Sequence, residues 1–339
     1  MEYVNCDLCG QDNTRVLFGK KDKLGVTEDE FHVVECQECG LVYINPRPSP
    51  EEIGKFYPEI YSWKETLEAE SVLTRGIRKL EKTYRYHLLR DEVAKVRRLT
   101  ERRSGRVLDI GCGTGDRLDV FRSEGFETFG VETSDSADYA KEHLRLNVLK
   151  GDLFSANFPD RSFDLVTLYN VLEHTHNPTR ICEEIHRILK DNGFLVIQVP
   201  NRDSFQYKIL GERWAAFDVP RDLYYFGAES FKSILGKAGF TVTKMDHFMN
   251  WWHPPTLVIS LFPSLDPRKA WGEEGRRGSP FLQRLAWILF TLLATPFTQF
   301  ESSLKRGALI TYYATKSREV DKRIDQDEHV EGFKRVDGC

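Results

Sequence analysis

The chain lacks a cationic excess. Its 339 residues carry 48 Lys and Arg against 52 Asp and Glu, a formal charge of -4. The broad basic footprint of a non-specific nucleic-acid binder is therefore missing. It also lacks an apolar run that spans a bilayer: the most apolar stretch, around 286–297, has a core of about 12 residues, where a transmembrane helix needs roughly 20. Met1 to Gly10 is polar and has no apolar core of a secretory signal. An even disulfide framework is absent too. There are seven cysteines, Cys6, Cys9, Cys36, Cys39, Cys112, Cys182 and Cys339. An odd total, with four of them in two C-x-x-C pairs, points to metal and a reducing compartment. The cytoplasm is the expected location.

What is present centres on Arg106 to Glu132, RVLDIGCGTGDRLDVFRSEGFETFGVE. Arg106 to Ile110 reads as a short buried strand. Gly111, Gly113 and Gly115 form a tight turn, Arg117 to Ser123 a helix, and Thr128 to Val131 a second strand. This is a βαβ start with a glycine-rich first turn. Glycines let the backbone turn sharply and approach a ligand closely. Asp109 stands at the end of the first strand, where an open α/β sheet binds ligands. Glu132 stands at the end of the second, where a carboxylate can accept both hydroxyls of a ribose.

The G-x-G-x-G spacing, with Asp109 before it and Glu132 after it, resembles the class I S-adenosylmethionine-dependent methyltransferases. The resemblance implies that Gly111 and Gly113 wrap the amino-acid part of S-adenosylmethionine and that Glu132 holds its ribose. Further along, Gly151-Asp152-Leu153-Phe154 follows a third strand at Leu146 to Leu149. In the family, Asp152 occupies the position that contacts the adenine amino group, with Leu153 and Phe154 flanking the ring. The fourth strand, Phe163 to Tyr169, runs into Asn170-Val-Leu-Glu-His174-Thr-His176-Asn-Pro178, again similar to this family. There the loop lies beside both cofactor and acceptor, which brings in Asn170.

Two cysteine knuckles precede this domain: Cys6-Asp-Leu-Cys9-Gly10 and Cys36-Gln-Glu-Cys39-Gly40. Four thiolates suit tetrahedral zinc, and a site with no open position is structural. Short strands at Thr14 to Gly19 and Phe31 to Glu35 complete a zinc ribbon reading. An iron centre and two unrelated pairs of free thiols are the alternatives. No run of Lys or Arg beside aromatics marks a nucleic-acid face on the ribbon. CGLVYINPRPSPEEIGKFYPEIY then resembles the linker of methyltransferases that carry such a ribbon. Tyr57 and Tyr61 either cover the cofactor mouth or pack the linker on the main domain.

Thr66 to Leu99 has the pattern of a basic amphipathic helix, either a solvated face or a contact with an anionic surface. Pro178 to Leu189 reads as a helix ended by Lys190 to Gly193, and Phe194 to Val199 as the fifth strand. Ser204 to Tyr225 breaks the rhythm. In the family a similar segment carries His where this chain has Asp222, a departure that weakens any acid–base role there. Phe231 to Ala238 is a helix. A sixth strand reaches about Met245, and a seventh covers Gly307 to Thr315.

The expected fold is α/β: a doubly wound, mostly parallel seven-stranded methyltransferase sheet with a small N-terminal zinc ribbon. The expected divisions are a ribbon over 1–45, a linker and helical region over 46–100, and a methyltransferase domain over 101–318. An apolar insertion covers 249–305, and 319–339 is a polar tail. Arg276, Arg277, Arg284, Lys305 and Arg306 flank the apolar run of the insertion. Trp251, Trp252, Trp271 and Trp287 suit a headgroup boundary. Lid, dimer face and peripheral membrane contact all stay open.

Methyl transfer from a sulfonium is a direct displacement that needs alignment, and a hydroxyl acceptor also needs a base. The base candidates are His176, more exposed by pattern, then His174, with His253 as a remote third. The expected acceptor is a small molecule or a lipid- or glycan-type one rather than nucleic acid, and the oligomeric state is open. The competing readings are a nicotinamide-dependent oxidoreductase and a non-catalytic, ribbon-bearing binding protein.

Overall fold

The computed structural model describes residues 1–57, 72–247, 253–266 and 280–317. Tyr61, Trp251, Trp252, Trp271, Arg276, Arg277 and the tail at 319–339 lie outside them, as do the side chains of 72–81 and of Arg284. In chain order the first strands are β1 (Thr14–Lys21), β2 (Glu30–Cys36) and β3 (Val42–Ile44). The long helix α1 (Val72–Thr100) leads into β4 (Gly105–Ile110), α2 (Asp116–Ser123), β5 (Phe126–Glu132), α3 (Ser136–Glu142) and β6 (Asn147–Lys150). Next come β7 (Phe163–Tyr169), α4 (Pro178–Ile188), β8 (Leu189–Pro200), α5 (Phe205–Leu210) and β9 (Tyr224–Tyr225). The chain continues with α6 (Ala228–Lys237), β10 (Phe240–Asp246), α7 (His253–Leu261), α8 (Pro280–Ser303) and β11 (Leu309–Lys316).

The main sheet has seven strands in the order β10-β11-β8-β7-β4-β5-β6. The strands from β6 to β8 pair in parallel, and β11 runs antiparallel to both β8 and β10. This is the doubly wound, mostly parallel sheet that the alternation of strands and helices predicts. Its middle strands are apolar without alternation, because helices cover both faces. Val107, Leu108, Leu165, Val166 and Leu168 are all fully buried. Helix α4 starts on Pro178 at its first turn and buries Thr179, Cys182 and Ile185, which recur on one helical face. It stops at Ile188, and the chain turns extended at Leu189. Lys190 to Gly193, expected as a helix terminator, therefore belongs to β8.

The cysteine-bearing N-terminus is welded onto this domain. Its four-stranded sheet has the order β1-β2-β3-β9. Val42 pairs with Tyr225 and Tyr43 with Tyr224, so the fourth strand comes from the segment after β8. Cys6, Val34, Leu41 and Tyr43 share one apolar cluster with Leu168, Leu172 and Leu223. Arg221 closes the joint. Its side chain is 0% exposed, as is that of Asp22, which it meets from the β1–β2 connection. The guanidinium also reaches Asp218 at 2.6 Å and the Phe56 carbonyl at 2.9 Å. Arg47 makes a second clamp: its Nη1 donates to the His176 carbonyl and to the Tyr224 hydroxyl, both at 2.8 Å.

Removing one partner of a buried ion pair strands the other charge. Arg221→Met is expected to lower unfolding stability by about 3–5 kcal/mol. Adding Asp22→Asn to that variant is expected to restore part of it. Urea unfolding checks both, and an Arg221→Met midpoint equal to the parent's would contradict the brace.

Candidate functional site

Gly111, Gly113 and Gly115 sit between β4 and α2 with φ of 67°, 53° and 81°. Only glycine takes this left-handed conformation without strain. At Gly111 a Cβ would lie 2.4 Å from Val171 Cγ2 and at Gly115 2.5 Å from Leu146 Cδ1, so those two serve packing. At Gly113 a Cβ meets nothing within 4 Å. That is the point where the loop leaves room for a ligand. Glu132 holds the loop from the end of β5: one carboxylate oxygen accepts the Gly113 N–H at 2.8 Å and the other the Ser134 N–H at 2.8 Å. Each oxygen keeps a further lone pair for a hydroxyl.

Asp109 lies beneath the loop, 1% exposed. Its Oδ1 accepts the Thr167 hydroxyl at 2.6 Å, and its Oδ2 stands 3.8 Å from Arg117. Burial pushes this carboxyl up to about 6, against the pull of Arg117 and Thr167. Arg117 itself stacks over Tyr169, 3.5 Å from the ring centre. Buried acceptors without a hydrogen-bond partner gather along this edge of the sheet: Asp109 Oδ2, Asn170 Oδ1, Glu173 Oε2 and Gln198 Oε1. Such orphans require a partner, and an edge at the carboxyl ends of the strands is where ligands sit. Asp116 and Asp119 in the first turn of α2 pair with Arg85 and Arg122, so the acidity facing the loop is that of Asp109 and Glu132. A ligand with positive charge and hydroxyls fits this lining, whereas a pyrophosphate does not.

Asp152, after β6, is exposed and caps the turn by accepting the Ser155 N–H at 2.7 Å. Leu153 is buried, and Arg180 lies over the Phe154 ring at 4.5 Å. Asn170, just past β7, adopts φ of 54°.

The loop that follows carries the two histidines, and they have different partners. His174 Nδ1 is 3.0 Å from the Arg221 carbonyl and 3.0 Å from Asp222 Oδ1. Both are acceptors, so Nδ1 carries the proton and Nε2 is the free end. The His174 side chain is 32% exposed, and Tyr57 packs edge-on against it at 6.4 Å. Burial works against its charge, but Tyr57, Asp222 and Glu173 outweigh burial and hold the imidazole well above its ordinary value. Glu173 beside it is pushed up to about 8 by burial. His176 instead donates from Nε2 to the Pro48 carbonyl at 3.0 Å, and burial lowers it. His253 is fully buried and accepts the Ala308 N–H at 2.9 Å, which removes it from the candidate bases. Sequence reasoning set Asp222 aside as a departure from the family; its contact with His174 spans 48 positions, with no local signal to reveal it.

The Sγ atoms of Cys6, Cys9, Cys36 and Cys39 all lie within 4.8 Å of one another. Sulfurs at the corners of a tetrahedron around zinc stand about 3.8 Å apart. The two knuckles repeat one geometry, with Gly10 N–H to Cys6 carbonyl at 2.7 Å and Gly40 N–H to Cys36 carbonyl at 2.9 Å. This cluster is separate from the glycine loop.

Residues 82–245 match the family model described as a methyltransferase domain. Over 138 residues the chain is 32% identical to an uncharacterised protein of Methanocaldococcus jannaschii, covering 40% of this chain and 64% of that one. Over 123 residues it is 29% identical to the ubiquinone biosynthesis O-methyltransferase of Coxiella burnetii, covering 34% and 53%. The chain thus spans less than two thirds of the length of these curated relatives. Among solved structures it aligns with phosphoethanolamine N-methyltransferase 2 of Haemonchus contortus at 19% identity and a TM-score of 0.49, covering 67% of this chain and 52% of that one.

Because the fold raises His174, its share of the stability is full at pH below the ordinary imidazole value and is lost as pH climbs through the raised one. Asp222→Asn removes the carboxylate that favours imidazolium. Titration of the His174 ring by NMR is expected to move to lower pH in that variant. An unchanged titration would contradict the pairing.

Proposed function

We propose that the chain transfers a methyl group from S-adenosylmethionine to a small-molecule or lipid- or glycan-type acceptor. The observation that carries this is the acidic glycine loop, with Glu132 bonded to Gly113 and open space above that glycine. Bound there, the cofactor supplies a methyl group on a positively charged sulfur. Glu132 would accept the ribose hydroxyls, and Gly113 and Asp109 would hold the amino-acid end. Gly111 and Gly115 shape the turn, and Asp152, Leu153 and Asn170 would contact the bound cofactor. The same acidity counts against a dinucleotide, and the chain's charge against nucleic acid as acceptor. The cytoplasm is the proposed location, with contact at a membrane surface.

On the acceptor side His174 is the proposed base. In the neutral ring, reached only above its raised titration, Nε2 takes the proton of an acceptor hydroxyl while Asp222, on Nδ1, fixes the tautomer. The name of the Coxiella relative, an O-methyltransferase, agrees with such an acceptor. His176 is the weaker candidate, because its Nε2 serves the Pro48 carbonyl and thereby ties the loop to the linker.

The four thiolates of Cys6, Cys9, Cys36 and Cys39 are proposed to hold one structural zinc. Elemental analysis is expected to find it, and Cys36→Ser to lose it. The apolar cluster is shared with the main sheet. The urea midpoint of the whole chain is therefore expected to fall in that variant, and not the N-terminal signal alone. Metal-free protein that is as stable as the parent would sink the zinc reading.

For the cofactor, calorimetry with S-adenosylhomocysteine is expected to show binding that Glu132→Ala weakens by more than roughly tenfold, through loss of a charged acceptor. Gly113→Val is expected to nearly abolish it, because φ of 53° and the ligand's space both exclude the side chain. Parent-like affinity in both variants would remove the site assignment.

A further inference from the structure

We infer that helix α8, with the exposed C-terminal end of α7 at Leu261, forms a docking face for an anionic lipid bilayer, and that a lysine-lined pocket beside α7 takes the phosphate of a lipid in that surface. This goes beyond methyl transfer and does not depend on it.

Helix α8 is strongly apolar, yet few of its described side chains are fully buried. Among its described side chains only Thr298 and Glu301 are buried, a hydroxyl and a carboxylate. Leu285, Leu289, Leu292, Phe297 and Phe300, spaced to share one helical face, are between 43% and 62% exposed. The helix is held by a polar contact near its C-terminus, where Glu301 Oε2 accepts from Gln206 at 3.0 Å. Phe262 stacks on Phe290 at 4.8 Å where α7 meets it. A long helix normally earns its stability from a buried apolar stripe. Here the stripe faces outward, and a contiguous exposed patch of this kind marks an interaction surface.

Charge selects the occupant. The chain carries 52 acidic residues, yet across His253–Leu261 and Pro280–Ser303 the sole carboxylate is Glu301, which is 0% exposed. Lys305 and Arg306 follow α8 after Leu304. A second copy of the chain would bring the same acid-free face and the same cations, with no negative charge to meet them. An anionic surface meets both the apolar stripe and its basic edge. Among the described residues no helix is long and apolar enough to cross a membrane, so the contact is one of lying on it.

A cavity of about 460 Å³ adjoins this face and is lined by Lys20, Lys23 and Arg213 on one side and by Ile259, Leu261 and Pro263 on the other. Leu261 is 52% exposed and so belongs to both the cavity and the apolar face. Glu212 and Asp266 also line it. The Lys20 ammonium bonds the Glu212 carbonyl, and among the described residues neither Lys20 nor Arg213 has an ion-pair partner. Lys23 is 3.5 Å from Asp218, a carboxylate already engaged by Arg221. Burial, and then Lys23 next to it, push Lys20 down to about 8. Trp214 lines the cavity with a buried indole N–H that has no partner. Two crowded ammoniums, a guanidinium and an apolar rim suit a phosphate with acyl chains behind it.

Flotation with vesicles of phosphatidylcholine alone, and of phosphatidylcholine mixed with phosphatidylglycerol, tests both parts on the full chain. The parent is expected to float with the mixed vesicles and far less with the neutral ones. The double variant Leu289→Glu/Leu292→Glu is expected to lose roughly tenfold or more in affinity. Lys20→Gln/Arg213→Gln is expected to lose about fivefold per cation for the mixed vesicles while keeping its weak binding to neutral ones. Circular dichroism and urea midpoints establish that the variants fold. Glycerol 1-phosphate in excess is the free-phosphate arm: it is expected to reduce the preference for anionic vesicles without abolishing binding. No flotation by the parent, or flotation unchanged in the leucine variant, overturns the docking face, as does a stable dimer by light scattering that the leucine variant dissociates. Unchanged anionic preference in the Lys20/Arg213 variant overturns the pocket.

Discussion

A buried guanidinium braces the joint between the two halves of this molecule. Arg221 has no exposed surface and meets Asp22 from the cysteine-bearing sheet and Asp218 from its own segment. Its carbonyl accepts from His174 Nδ1. Buried charge is costly unless paired and hydrogen-bonded, so this arginine fits only when the N-terminal sheet is docked. The position of His174 depends on the same condition. The four-cysteine cluster is thus part of the scaffold of the loop after β7, and not a module hung on the front of the chain.

Electrostatics then divides the site. Beside the glycine loop carboxylates dominate, with Asp109 beneath the loop and Glu132 bonded across it. They favour a ligand that brings positive charge. On the other side His174 keeps Nε2 clear of its Nδ1 partners, Asp222 and the Arg221 carbonyl. Direct displacement demands little more of a protein than alignment, a suitable field and a place for the proton.

The parts legible in the sequence are those that local pattern encodes. Val107-Leu108 and Leu165-Val166 are buried without alternation because helices cover both faces of the sheet, and the polar exceptions in these strands are Asp109, Asp164 and Thr167. The glycine loop, Asp109 and Glu132 lie within one βαβ unit. The two cysteine pairs announce themselves by spacing. What escaped reading arises from contacts between distant segments: β3 with β9, Arg221 with Asp22, and His174 with Asp222. Asp222 looked like a loss because its partner is visible only after folding. Helix α8 was legible as apolar, but not that its apolar side faces out, since periodicity marks a stripe without saying what covers it.

The most direct test of the central claim is transfer of label from methyl-tritiated S-adenosylmethionine by the full chain to a cell extract, divided afterwards into lipid and aqueous small-molecule fractions. The account predicts enzyme-dependent label in one of these fractions and none above background with heat-treated protein. Label confined to unreacted cofactor in every fraction, or appearing only in nucleic acid, would contradict it.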